Sequence, residues 1–363
     1  MNIERGSHPI DPPAPIFVVG TGRCGSTLVS NMLREHSSIL SLSEWFSFIT
    51  DLDTRIAPAF ADGEAAAEEF WGLLSACYPK QNLLLRHGLP MDEMIYPLGP
   101  TSSRFTAASG VPAILMAALP HLSDTPDALY EELREWTLAR PQATLRDHYM
   151  ALFGHLCRRF GRKLWIERSG GSLRLINDLH RMFPEAKFLH IVRDGRDCAV
   201  SSSKHSGFQM ALIAFQLMEL LNCDPFETED RTYVEDLSDE LYELLPENFT
   251  AEAFQRYEFS PTVYGHYWSG DVAAGLRLMN RLGPKRALTL RYEDLLARSE
   301  ETVRQLIDFV DPSLADEAWI ARAASLVRSP RSRWRDLPDR ERSQLQDACK
   351  PGFEALCAAG IAY

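Results

Sequence analysis

Two stretches of this chain combine arginine with glycines or hydroxyl residues in the way an anion site requires. The first is Gly20-Thr21-Gly22-Arg23-Cys24-Gly25-Ser26-Thr27. It follows the β-branched and aromatic run Ile16–Val19 and precedes Leu28, Val29, Met32 and Leu33 at helical spacing. Backbone N–H groups converge at such a strand-to-helix turn, so the loop should hold a phosphate-like group. Gly20 and Gly25 match the nucleotide-triphosphate loop GxxxxGK[ST], but Ser26 stands where the lysine belongs. Arg23 supplies a cation instead. A γ-phosphoryl group needs a loop cation together with carboxylate-held Mg²⁺. A sulfuryl group spreads one net charge, and a metal-free loop suffices for it. The bland alternative is a glycine turn that binds nothing.

The second stretch is Phe188 to Ser201, where Arg193 leaves a predicted strand end and Ser201 lies two turns into a predicted helix. An Arg fork and a hydroxyl can clamp another phosphate; alternatively the Arg caps a sheet edge and the Ser merely packs. Two anion grips on one sheet call for a ligand with two separated anionic groups. Near the C-terminus Arg328, Arg331, Arg333 and Arg335 surround Trp334 in an otherwise acidic protein. They are a third candidate grip, or simply a basic helix start.

These segments carry a resemblance. VVGTGRCGSTLVSNML resembles the 5′-phosphosulfate loop of the sulfotransferases that use 3′-phosphoadenosine 5′-phosphosulfate (PAPS). FLHIVRDGRDCAVS resembles their 3′-phosphate segment, and LTLRYEDLLARSEETVRQLIDFV at 288–310 is similar to their RYEDL strand and following helix. The register is closest to the branch that contains tyrosylprotein sulfotransferases and bacterial relatives.

The resemblance implies PAPS as donor, adenosine 3′,5′-bisphosphate as product and no metal. It implies Glu44 as general base, in Ser43-Glu44-Trp45-Phe46, where partial burial would strengthen it as a proton acceptor. Read alone, Glu44 would be a surface helix cap. Arg23 would stabilise the leaving group, with Cys24, Gly25, Ser26 and Thr27 around the 5′-phosphosulfate and Arg193 and Ser201 on the 3′-phosphate. Arg331 or Arg333 would cover that phosphate, the register favouring Arg333, while Trp334 packs the closing segment or the adenine.

Arg168 stands where the family usually has lysine, and can stabilise charge on the transferring group but is a poor acid. Gly170 stands where some members have a histidine base. The acceptor is left open among a small molecule, a peptide and a glycan, its pocket expected from residues 45–160 and 205–265. Two rival functions remain at this point: an Mg²⁺-dependent P-loop small-molecule kinase or NTPase, and a nucleotide-binding scaffold without turnover.

The elements that must position these residues alternate. Beyond a polar tail with four prolines, residues 1–15, one domain is expected over 16–363. Its class is α/β, a P-loop-type parallel sheet of about five strands flanked by helices. A helical insertion interrupts it at about 55–160, and helices are added toward the C-terminus. Strands are predicted at 163–167, 187–193 and 286–291, and helices at 172–183, 196–205, 262–282 and 300–309.

Residues 224–247 hold ten Asp or Glu and one Arg, a run read as a solvated face. The whole chain of 363 residues carries 38 Lys and Arg against 50 Asp and Glu, net −12, which excludes a nucleic-acid-coating protein. Seven cysteines with no CxxC pair suggest neither a disulfide framework nor a zinc site. No apolar run is long enough for a membrane span, and the expected location is the cytoplasm. His190 reads as a core residue, and His36, His205 and His266 as candidates for the acceptor site. Cys24, at a helix start, is expected to have a lowered pKa and to be oxidisable.

Overall fold

The computed structural model describes residues 14–99, 104–328 and 332–363. Most of the expected tail and Arg331 lie outside these residues. Five strands form one sheet: β1 (Ile16–Val19), β2 (Ile39–Ser43), β3 (Leu164–Arg168), β4 (Lys187–Val192) and β5 (Ala287–Arg291). Their spatial order is β2-β3-β1-β4-β5, and every adjacent pair is parallel. β1 is buried along its whole length, which is why it reads as an unbroken apolar run rather than an alternating one. At its centre Phe17 packs against Phe46, Trp165, Phe183 and Phe188.

Parallel register is what builds the site. Val18 and Ser43 both sit opposite Arg168, Val19 opposite His190, and Val192 opposite Arg291. The strands therefore end within about two residues of one another, and Gly20, Glu44, Arg168, Arg193 and Tyr292 all lie along the carboxyl edge of the sheet. Open α/β sheets bind ligands outside that edge. The third strand begins and ends one residue later than expected, so Arg168 belongs to it.

The helices that matter to this edge are α1 (Ser26–Arg34), α2 (Trp45–Ile49), α3 (Pro79–Arg86), α4 (Gly195–Ser202), α5 (Ser206–Leu221), α6 (Pro261–Leu282) and α7 (Asp339–Ala358). Residues 55–160 are mainly helical, as expected, with one exception. Glu64–Ala65 pairs antiparallel with Ala143–Thr144, a two-residue ladder that ties two distant parts of the insertion together. The helix expected over 196–205 is also shorter: α4 stops at Ser202, and His205 instead N-caps α5, its ring accepting from the Phe208 N–H. No helix among the described residues is long and apolar enough to cross a membrane.

The acidic run is mostly exposed, but its first residue turns inward. Lys80 in α3, with no exposed side-chain surface, lies 2.6 Å from Asp224 and 3.5 Å from the equally buried Asp51. Asp51 also accepts the N–H groups of Lys80 and Gln81. Burial still pushes its carboxyl up to about 6, against the pull of Lys80. This cluster fixes the turn after α2, which faces the cleft described below. Lys80→Met should strand both carboxylates and cost about 3–5 kcal/mol of stability in urea unfolding. A loss below about 1 kcal/mol would mean the cluster does not anchor the turn.

Candidate active site

The loop from Gly20 to Gly25 folds back through left-handed conformations. Gly22, Arg23 and Gly25 have φ of 75°, 51° and 94°. Glycine is required at Gly25 twice over, since a Cβ there would also lie 2.3 Å from the Tyr292 ring. Arg23, by contrast, holds a conformation unfavourable for its type, as does Glu44 with φ of 56°. Backbone strain of this kind persists where surrounding contacts impose it, commonly at functional sites. The N–H groups of Arg23, Gly25 and Thr27 donate to no backbone carbonyl among the described residues, and they sit at the N-terminus of α1. Such orphan donors are the chemistry an anion needs, so the loop fits a phosphosulfate.

The two sequence-predicted grips meet. Arg193 donates from Nη1 to the Arg23 carbonyl at 3.2 Å, and Arg23 donates from Nε to Ser201 Oγ at 3.0 Å. Tyr292 lies beneath both, its ring against Gly25 and 5.2 Å from the Arg193 guanidinium. Sequence reading had passed over Tyr292; its place directly after a strand end was the available signal.

Glu44 is 3% exposed and heavily hydrogen-bonded. Its Oε2 accepts the Gly170 N–H and the Ser47 hydroxyl, both at 2.7 Å, and its Oε1 is paired with Arg168. Glu44 does stand at the N-cap position of α2, but it is buried and its side chain bonds none of the helix N–H groups, so it is not a surface cap. Arg168, 2% exposed, spends its second terminal nitrogen on Ser43 Oγ at 2.8 Å. Both terminal nitrogens thus hold the strand end and Glu44.

Behind them Ser169 donates to Glu167 at 2.6 Å while accepting the N–H groups of Phe46 and Ser47. Burial pushes the Glu167 carboxyl up to about 8. A Cβ on Gly170 would sit in ordinary van der Waals contact with Glu44, 3.5 Å from both of its carboxylate oxygens.

Glu44 opens onto a cleft walled by Phe48, Leu52, Met91 and Phe208, with Asp53, Glu93, Arg174, His205 and Asp271 among them. Seven of these nine residues come from 45–160 and 205–265, the segments in which the acceptor pocket was expected, while Arg174 and Asp271 come from outside them. Glu93 was missed because nothing in its local sequence marks it. It accepts from Arg23 Nη1 at 3.2 Å and lies 2.8 Å from His205 Nε2. Burial opposes its charge, but His205 and Arg23 prevail and bring it down to about 2. Of the three histidines proposed for the acceptor site, only His205 reaches this cleft; His36 is buried against the Leu314 carbonyl and His266 is exposed elsewhere. His190 is a core residue held near 4 by burial.

The C-terminal grip is less complete. Arg333 has an exposed side chain and is pinned through its N–H to Asp197 at 2.9 Å. Trp334 is buried with the Arg196 guanidinium 4.0 Å from its ring centroid, so it packs the closing segment. Thr27 is exposed and Ser26 buried, and both open α1.

The chain matches the sequence model of the sulfotransferase family over residues 15–251 and 239–316. No curated protein matches it. Among solved structures it is similar to the sulfotransferase domain from the curacin biosynthetic pathway, at 14% identity and a TM-score of 0.45 over 96% of this chain and 98% of that one. The sulfotransferase domain of the Synechococcus PCC 7002 olefin synthase gives the same identity and TM-score over 99% and 100%. Sulfotransferase STF9 from Mycobacterium avium gives 14% and 0.43 over 97% and 78%.

Cys24 departs from expectation. Its thiol has no exposed surface, and burial raises its pKa, outweighing the hydrogen bonds from Ser26 and the helix start. It can offer a ligand only its backbone. Titration of the native protein with a thiol reagent should label the exposed Cys77 and Cys357 and spare Cys24 until the chain is unfolded. Early labelling of Cys24 by mass spectrometry would contradict this.

Proposed function

The chain belongs to the sulfotransferase family, and from that premise we propose that it transfers a sulfuryl group from PAPS to a hydroxyl or amine of its acceptor. The observation that carries this reading is the direct contact between the two anion grips, Arg193 on the Arg23 carbonyl and Arg23 on Ser201. A ribose that carries phosphates on both its 3′ and 5′ oxygens needs two such grips on one surface. The bound donor supplies an activated sulfuryl group on a phosphate leaving group.

The protein's own residues then divide the work. The loop N–H groups with Ser26 and Thr27 hold the 5′ end, and Arg193 with Ser201 the 3′ end. Arg333 reaches the 3′ end from the C-terminal segment. Arg23 places a guanidinium where negative charge grows on the departing oxygen. That guanidinium is paired with Glu93 and turns from it to reach the donor. Glu44 Oε1 keeps a lone pair free of its bond to Arg168 and takes the proton of the attacking hydroxyl. Arg168 is assigned a positioning role: its bonds to Glu44 and Ser43 orient the base toward the cleft. The absence of a loop lysine, with Ser26 buried in its place, speaks against a kinase.

Glu44→Gln tests the reading. Turnover of PAPS with any competent acceptor should fall about 10²- to 10⁴-fold, while the affinity for adenosine 3′,5′-bisphosphate, measured by calorimetry, changes less than about threefold. Equal turnover by the variant would remove Glu44 as base. Tight binding of ATP·Mg²⁺ with none of adenosine 3′,5′-bisphosphate would overturn the sulfotransfer reading itself.

A further inference from the structure

The charge balance inside the cleft is uneven. Three of its carboxylates have ion-pair partners: Glu44 has Arg168, Glu93 has Arg23 and His205, and Asp271 has Arg174 at 3.4 Å. Asp53 has none among the described residues. Its Oδ1 accepts one bond, from Thr50 Oγ1 at 3.3 Å, and its Oδ2 accepts none. Arg174 is close enough for its field to be felt, yet it is committed to Asp271 and flanked by the Phe215 and Tyr267 rings. Removal from water pushes the Asp53 carboxyl up to about 6, against the pull of Arg174.

The backbone delivers this group at a cost. Asp51, Leu52 and Asp53 have φ of 47°, 62° and 65°, three successive non-glycine residues in the left-handed region. Each carries a penalty of roughly 1–2 kcal/mol. The turn is held by the Lys80 cluster on one side and by Leu52 N–H to Ser47 O at 3.0 Å on the other. Its result is that Leu52 and Asp53 both face the cleft.

Asp53 is also close to the base. A Cβ on Gly170 would touch the Glu44 oxygens at 3.5 Å, and one on Gly171 would touch Asp53 Oδ2 at 3.3 Å and Phe208 at 3.8 Å. Consecutive Cα atoms are about 3.8 Å apart, so the two carboxylates flank neighbouring residues of a single loop. An aromatic ring beside the unpaired carboxylate completes a setting suited to an ammonium group.

We propose that Asp53 is the specificity-determining residue of the acceptor site, and that the acceptor is a compact molecule, or the end of a larger one, carrying an ammonium group near the hydroxyl that Glu44 deprotonates. This rests on the sulfotransferase reading for its chemistry. The binding claim concerns this chain's cleft alone.

The probes are three phenols matched in size: tyramine, a cation; 4-ethylphenol, neutral; and 3-(4-hydroxyphenyl)propionate, an anion. Each is titrated calorimetrically into the full chain, first without nucleotide and then saturated with adenosine 3′,5′-bisphosphate. Tyramine should bind at least tenfold more tightly than 4-ethylphenol in both states, and the propionate most weakly. Asp53→Asn, which tolerates the left-handed backbone equally well, should bring tyramine and 4-ethylphenol within about twofold of each other. Retained nucleotide affinity shows that the variant is folded. A neutral phenol that binds as well as tyramine, no binding of tyramine, or a preference that survives Asp53→Asn would each overturn the proposal. Failure of the nucleotide to bind would instead count against the parent reading, so the two failures are distinct.

Discussion

The structure depends on one short connection, the hydrogen bond from the Arg193 guanidinium to the carbonyl of Arg23. It joins the end of β4 to the glycine loop after β1, two neighbours in the sheet whose parallel register makes them finish side by side. A guanidinium has five donors, and one spent on a carbonyl leaves others for a ligand. Through Arg23 the link continues to Ser201, one residue short of the end of α4. The proposed anion-binding surface is thus a product of sheet register, with the loop and the strand end as its two halves.

The half of the site around Glu44 is built on strain. Arg23 and Glu44 both occupy left-handed backbone, as do Asp51, Leu52 and Asp53. Each is imposed by contacts made elsewhere: Glu44 by its N–H to the Arg168 carbonyl at 2.7 Å, the turn at 51–53 by Lys80. Buried ion pairs contribute little net stability, but they fix geometry. Here Glu44–Arg168 and Lys80–Asp51 set the positions of Glu44 and Asp53, the two carboxylates at this end of the cleft. Glu93 joins the glycine loop to the cleft, paired with Arg23 of the loop and with His205 in the cleft.

Much of this was legible from residues alone, for physical reasons. Strong local signals marked β1, the loop and α1, because an unbroken apolar run, clustered glycines and a 3.6-residue period all agree there. Glu44 and Arg168 were found through family register. Their mutual pairing was not, since contacts 124 residues apart leave no local pattern. Glu93, Asp53 and Asp271 were invisible for the same reason: each is an ordinary acidic residue until the fold places it against the cleft. Cys24 was misread because a helix start lowers a thiol pKa only where water also reaches it, and here burial prevails. His205 was expected inside a helix, but the break after Ser202 makes it a cap.

The most direct measurement is a crystal structure of the protein with adenosine 3′,5′-bisphosphate. The account predicts the 5′-phosphate on the N–H groups of residues 23–27, the 3′-phosphate between Arg193 and Ser201, and the Arg23 guanidinium turned away from Glu93. A nucleotide bound elsewhere, or one that engages only the loop with Arg193 and Ser201 uninvolved, would contradict it.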